Sequence, residues 1–157
     1  MSDDRSATSR IKFNIPWRIR FGLVLSIIGM LVFLLGARPA IFGLDRSPIV
    51  GFVQITAFLL GLGIICIGGY ICFVNLWGKE PRSIKADFGA RFIATGYVMS
   101  VFSGMADVFG FGSHPLPGTP YFGPWQARGV ELGELLIGIG LFLLLPLQQH
   151  LKTKSQR

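Results

Sequence analysis

Hydrophobic residues gather in four long runs along the chain, and short segments rich in charged residues, glycine and proline separate the runs. About 20 helical residues are needed to cross the roughly 30 Å hydrocarbon core of a bilayer, and each run reaches that length. Lipid offers no partner for backbone polar groups, so each run is predicted to be an α-helix. The pattern predicts an all-α membrane protein, a bundle of four transmembrane helices at about residues 16–37, 48–77, 91–111 and 129–147.

Capping and breaking residues set these bounds. Asn14 suits the N-cap of the first helix, which Pro39 ends, while Ser47 and Pro48 give a start signal for the second helix. The second span is longer than the bilayer core and is expected to tilt or protrude. The segment 112–128 contains four prolines and is predicted to be a non-helical outer loop with its aromatic residues at the interface.

Lysine and arginine are distributed unevenly among the segments that flank the runs. Twelve of the 15 lie in the N-terminal tail, the second loop and the C-terminal tail, against three in the first and third loops. Cytoplasmic segments carry the excess of basic residues, so both termini are predicted to be cytoplasmic, as four spans require. The predicted organisation is a cytoplasmic basic tail at 1–15, a transmembrane domain at 16–148 and a cytoplasmic tail at 149–157.

Composition supports the same class. Hydrophobic residues make up 51% of the 157, and the mean hydropathy is +0.57, which is too apolar for a water-soluble domain of this size. The net charge of +7 does not indicate nucleic-acid binding, because the basic residues stand in blocks between the apolar runs, where they set topology. No small-residue cleavage site follows a short apolar stretch, so the first run is expected to be retained as a span. The expected location is a bacterial cytoplasmic membrane, in which the protein is integral.

Small and polar residues recur at about seven-residue spacing along each predicted helix. In lipid, helices associate through close backbone approach along small residues and through hydrogen bonds between polar ones. The stripes therefore predict helix–helix contacts within a packed bundle, and with other membrane proteins or a second copy of the chain. The predicted packing residues are Gly22, Ser26, Gly29, Gly61, Gly68, Gly96, Ser100, Ser103, Gly129, Gly133 and Gly140.

The chain contains a weak internal repetition. Gly61 and Gly63 flank a leucine in the second run, and Gly138 and Gly140 flank an isoleucine in the fourth, each in the second helix of a predicted hairpin. One interpretation is a duplicated hairpin, so that the bundle is two hairpins in tandem. The other is coincidence, because glycine is frequent in membrane helices.

Polar side chains gather toward the predicted outer end of the bundle. Charged groups in hydrocarbon are costly and usually face the bundle interior or water. Asp107 is placed about one turn below the outer end of the third helix, on its stripe of small residues. The candidate cluster at this end comprises Asp107, Glu131, Glu134, Gln54, Arg38 and Arg128.

Two interpretations of this cluster remain open. In the first, Arg38 and Arg128 form ion pairs with the carboxylates and tie loops to helices. Glu131 and Glu134 then simply suit the positive end of a helix. In the second, the carboxylates form a site for protons or cations that opens to the outside. The two arginines favour the first, and no ionisable residue continues a path to the cytoplasm.

Cofactor chemistry is not indicated by the sequence. The two histidines, His114 and His150, stand outside the runs, whereas haem in a membrane bundle commonly needs histidines inside the spans. Cys66 and Cys72 share one apolar run, where they are expected to be small packing residues. We find no metal-ligand spacing, no glycine-rich phosphate loop and no serine nucleophile beside a base, so lipids are the only expected ligands.

Three functions are compatible with these features. The first is a non-enzymatic accessory or scaffold subunit that binds other membrane proteins, or itself, through its glycine faces. The second is a small transporter or channel component with an outer-facing carboxylate site at Asp107, Glu131 and Glu134. The third is a membrane enzyme or quinone-binding subunit that uses the aromatic outer loop and His114. Short loops, small-residue stripes and missing catalytic groups favour the first.

Overall fold

A computed structural model of the chain describes residues 16–43, 51–78, 81–112 and 122–146. The α-helices are α1 (Trp17–Ala37), α2 (Phe52–Leu76), α3 (Ile84–Gly104) and α4 (Pro124–Leu143), and a short 3₁₀ helix (Pro39–Phe42) follows α1. These ranges contain helices and turns but no strand. For this part of the chain, the predicted all-α class is confirmed.

Two of the helices, α1 and α2, are long and apolar enough to cross a membrane. The core helix of a soluble protein passes the same test, but such a helix is mostly buried. In α1, 17% of the apolar window is buried within the protein, and in α2 the share is 28%. Length, composition and exposure are together consistent with membrane integration.

The first hairpin starts from α1, which covers the residues of the first predicted span. Pro39 opens the 3₁₀ helix at the point where the sequence places a break. The next helix, α2, begins at Phe52, later than predicted. The start signals proposed from the sequence, Asn14, Ser47 and Pro48, lie outside the described residues.

The third helix lies closer to the N-terminus than the predicted span 91–111. It begins at Ile84, because the Ser83 hydroxyl caps it by accepting a hydrogen bond from the backbone N–H of Ala86 at 3.3 Å. Hydropathy misses this start, since charged residues occupy the first turns. The helix ends at Gly104, and a series of turns follows.

The fourth helix also begins earlier than predicted, at Pro124 instead of 129. Proline suits the first helical position because the N–H that it lacks would have no partner within the helix. The backbone N–H of Gly123 donates to Oε1 of Gln126 at 2.6 Å, which closes the first turn. The prediction that 112–128 is non-helical is therefore wrong from Pro124 onward.

The helices α1 and α2 pack antiparallel through glycine. A Cβ on Gly29 would lie 2.8 Å from the backbone nitrogen of Ile65, and one on Gly22 would lie 2.8 Å from that of Cys72. Backbones this close leave no room for side chains, so the glycines themselves form the contact surface. Three further predicted packing residues, Ser26, Gly61 and Gly68, lie in the same contact.

The helices α3 and α4 form a second antiparallel hairpin in the same manner. A Cβ on Gly96 would lie 2.5 Å from the carbonyl oxygen of Gly133. The buried hydroxyl of Ser100 donates to the carbonyl of Gly96 at 3.0 Å and lies 3.4 Å from that of Val130 on α4. Ser103 contacts Gly129 toward one end of this hairpin, and Gly89 contacts Gly140 toward the other.

The two hairpins meet along α2, and a buried hydrogen bond joins them at one end. Nε1 of Trp77, after the end of α2, donates to the carbonyl oxygen of Leu144, after the end of α4, at 2.9 Å. Among the described α-helices, α1 contacts only α2. Contacts are therefore dense within each hairpin and sparser between the two. The core shared by the hairpins includes Leu62, Cys66, Ile93, Ile137 and Leu144.

Candidate functional site

A cavity of about 340 Å³ lies between the two hairpins, at the end away from Trp77. Known small-molecule sites have volumes of roughly 300–1,000 Å³, so this space is large enough for a small ligand. It is termed the hairpin cavity below. All four helices contribute apolar wall residues, among them Gly36, Ile55, Phe58, Gly104 and Val130.

Three polar side chains of the predicted cluster line the hairpin cavity. Gln54 is half-buried in the first turn of α2, and Glu131 and Glu134 lie on α4. Residues three apart share one side of a helix, so the two carboxylates face the same region. Glu134 is half-buried and Glu131 is exposed. The site thus pairs an amide on one hairpin with two carboxylates on the other.

The contact between α3 and α4 determines where the glutamates point. Glu131 follows Val130 and Glu134 follows Gly133, and both Val130 and Gly133 belong to the buried stripe of α4. One position along a helix is a rotation of about 100° around its axis, so both glutamates point to one side of that stripe. That rotation moves them off the contact with α3 and into the lining of the hairpin cavity. The buried stripe itself consists of Gln126, Val130, Gly133, Ile137 and Gly140.

Close contacts fix the walls of the hairpin cavity. Gly36 on α1 packs against the backbone of Phe58 on α2, so the two helices approach closely beside the cavity. The ring of Phe58 packs against that of Phe33, with centroids 4.7 Å apart. On the other side, a Cβ on Gly104 would lie 3.3 Å from the side chain of Leu59. Rigid walls of this kind pre-form a space instead of leaving it to collapse.

The lining of the hairpin cavity does not include Asp107. This residue follows the end of α3, whereas the sequence placed it within the third helix, and its side chain is 5% exposed. A Cβ on Gly112 would overlap the Asp107 carboxylate and lie 2.7 Å from the Asp107 backbone nitrogen. The N–H of Gly110, at φ 80°, donates to the Asp107 carbonyl at 3.3 Å. The earlier helix end therefore buries Asp107 in a turn.

The two arginines of the predicted cluster are exposed. The guanidinium of Arg128 lies over the ring of Trp125, 5.1 Å from its centroid, in a cation–π contact. Arg38 follows the last residue of α1, and its backbone N–H donates to the carbonyl of Leu34 at 2.9 Å. Ion pairing of these arginines with the carboxylates stays a prediction. His114 and His150 lie outside the described residues.

One buried polar residue was not singled out from the sequence. Gln126 is 6% exposed, and its Oε1 accepts the N–H of Gly123. Its Nε2 is buried and has no hydrogen-bond partner within the part of the chain that the structure describes. The sequence does contain a signal for this role, because Gln126 stands two residues after Pro124. That is the N3 position, from which a glutamine side chain reaches back to the N-cap backbone.

A second concave surface shares both glutamates. It is a shallow, open groove of about 590 Å³ whose lining residues all lie on one face of α4, and it is termed the α4 groove below. Beyond Glu131 and Glu134 its lining is apolar and extends to Leu143. Gly138 forms part of its floor, and a Cβ there would meet no atom of the described residues within 4 Å. The glutamates therefore stand where the hairpin cavity and the α4 groove adjoin.

The chemistry open to this site follows from its own residues, because comparisons of the chain with known protein families, with curated proteins and with solved structures find no match. Two carboxylates and an amide can accept hydrogen bonds and attract a cation or a proton. Among the described residues, histidine, cysteine, aspartate and glutamate form no group of three that would hold a metal ion. Cys66 and Cys72 are free thiols.

Proposed function

We propose that the chain is a four-span integral protein of a bacterial cytoplasmic membrane, with both termini in the cytoplasm. The excess of basic residues in alternate segments supports this orientation. The helices contain between 20 and 25 residues each, which suits the roughly 30 Å of a bilayer core. The glycine contacts of both hairpins are of the kind that holds helices together in lipid, where hydrophobic burial gives no net drive.

Within this arrangement the protein acts as a non-enzymatic accessory or scaffold subunit. The observation that carries this proposal is the position of α1, which contacts only α2 among the described helices. Its buried residues are all glycines, and most of its large apolar side chains are exposed, among them Ile27 at 54% and Leu31 at 51%. Because only one side of α1 packs against a described helix, a long apolar surface is left for a helix of another membrane protein or of a second copy.

Purification in a mild detergent tests the accessory role. The expected result is a stoichiometric set of partner membrane proteins or a defined homo-oligomer that persists through size exclusion. Ile27→Trp should release the partner because it alters the shape of the exposed α1 surface. Val98→Trp is the control, since Val98 is also an exposed apolar residue, at 65%, but lies on α3. A lone monomer, or equal release by both variants, would contradict the proposal.

The hairpin cavity favours a second candidate function, a transporter or channel component with an outer-facing carboxylate site for protons or cations. Ionisable residues within membrane helices are costly and often mark ion pathways, and Glu131 and Glu134 line a cavity together with Gln54. The test is cation and proton flux into vesicles that contain the purified protein. Flux that Glu134→Gln abolishes and Asp87→Asn leaves intact would support this candidate, and absence of flux in the parent would exclude it.

A further inference from the structure

The α4 groove joins a charged end to an open apolar helix face, and this combination points to a ligand with the same two parts. We propose that the groove binds a cationic amphiphile, an ammonium group attached to one alkyl chain, with the ammonium group between Glu131 and Glu134. The inference deepens the second candidate function, on whose carboxylates it rests, and it assumes that α4 crosses the bilayer.

The charges at the head of the α4 groove define the polar part of the ligand. Glu131 and Glu134 lie one turn apart, so their charges repel and a cation between them relieves that repulsion. The nearest described cation along α4 is Arg128, which is held over the Trp125 ring toward the start of the helix. In a zwitterionic lipid, the phosphate next to the ammonium group would be repelled by the two carboxylates. The groove therefore favours a net positive amphiphile over a zwitterionic phospholipid.

The remaining lining defines the apolar part. From Glu131 to Leu143 the helix rises by about 18 Å at 1.5 Å per residue, a length that accommodates an extended alkyl chain. The side chains of Leu135, Ile139 and Phe142 flank the path and are exposed, so nothing in the described chain covers it. The open space above Gly138 gives the chain a floor without a side chain.

Photo-crosslinking tests the inference in the full chain, reconstituted in phosphatidylcholine nanodiscs. The probe is dodecyltrimethylammonium with a diazirine near the end of its alkyl chain. Labelled peptides should map to residues 135–143, because the ammonium group holds the other end at the glutamates. Excess dodecyltrimethylammonium should abolish the labelling, and dodecylphosphocholine, which has the same chain and a zwitterionic head, should not.

Two variants change the two parts of the α4 groove separately. Glu134→Gln should lower labelling about tenfold, the change that loss of a single charged contact gives. Gly138→Leu should lower it to a similar extent by filling the floor, at an exposed position where a Cβ meets no described atom within 4 Å. Asp87→Asn, on an exposed residue in the first turn of α3, should leave labelling unchanged.

Equal competition by dodecylphosphocholine would overturn the inference, since the groove would then hold any acyl chain of the bilayer. Labelling that survives both Glu134→Gln and Gly138→Leu, or that spreads evenly over both hairpins, would also overturn it. Failure of the proposed function can be distinguished from failure of this inference. Cysteine labelling reports whether α4 crosses the bilayer, flux measurements report transport, and neither uses the diazirine probe. Selective labelling without flux would retain the binding site and remove only the transport role.

Discussion

The indole of Trp77 donates a hydrogen bond to the backbone carbonyl of Leu144 across the junction of the two hairpins, at 2.9 Å. Trp77 is 8% exposed and Leu144 is fully buried, so the bond is shielded from solvent. Residues after the ends of α2 and α4 are thus joined at one end of the molecule, while the hairpin cavity separates the hairpins at the other.

Trp77→Phe should weaken the association of the two hairpins. The substitution keeps an aromatic ring but leaves a buried carbonyl without its donor, which typically costs about 1–3 kcal/mol. The free energy of unfolding in a mild detergent, from chemical denaturation, measures the effect. Trp17→Phe is the control, because Trp17 is 78% exposed at the start of α1. Equal losses in the two variants would contradict the role of the hydrogen bond.

Gly96→Ala should destabilise the second hairpin. The new Cβ would lie 2.5 Å from the carbonyl oxygen of Gly133, so the backbones of α3 and α4 must separate, at about 1–3 kcal/mol. Gly138→Ala provides the comparison, because its Cβ meets no atom of the described chain within 4 Å and alanine favours a helix by up to about 1 kcal/mol. Thermal unfolding in detergent should therefore shift in opposite directions. A common shift would mean that the glycine stripe is not the contact.

Gly112→Ala should disturb the turn that follows α3. Its Cβ would overlap the Asp107 carboxylate, so the turn must open at about 1–3 kcal/mol. Gly51→Ala is the matched control, since Gly51 has ordinary backbone angles and a Cβ there meets none of the described atoms within 4 Å. Detergent stability should fall for the first variant and stay within about 0.5 kcal/mol for the second. Unchanged stability in Gly112→Ala would contradict the tight packing around Asp107.

Cysteine labelling tests the proposed topology. In a chain that lacks Cys66 and Cys72, Ser6→Cys and Ser155→Cys should be protected from a membrane-impermeant thiol reagent added outside intact cells. Thr119→Cys should react, because the third loop is proposed to be outside. Permeabilised cells provide the control, in which all three variants should react. Reaction at position 6 or 155 in intact cells would overturn the four-span orientation.

The sequence predicted the helices well where apolar runs end at clear breaks, as α1 does before Pro39. It failed where local chemistry opposed the hydropathy pattern. The first turns of α3 carry charged residues, yet the Ser83 cap starts the helix there. The residues after Gly104 remain mostly apolar, so nothing in their hydropathy marks the end of α3. That end depends on turn hydrogen bonds, such as the one from Gly112 to the Ala106 carbonyl.

The candidate site was predictable to the extent that it depends on positions inside helices. Glu131 and Glu134 stay together because residues three apart share one helix side. Gln54 meets them because α2 and α4 run in the same direction, so that their first halves lie at the same end of the bundle. Asp107 depends on where α3 ends, and an error in that end removed it from the site. The α4 groove depends on which side of α4 the contact with α3 leaves uncovered, which no periodicity of a single helix determines.

Among the described α-helices, α1 contacts only α2, and this bears on the order in which the protein assembles. During synthesis, α1 can pack against α2 as soon as α2 has left the ribosome, so the first hairpin can form before the second half of the chain is made. Contacts between segments close in sequence also form quickly, because little loop entropy is lost. Joining the hairpins through Trp77 and Leu144 is then the last step, and residues near the C-terminus complete it.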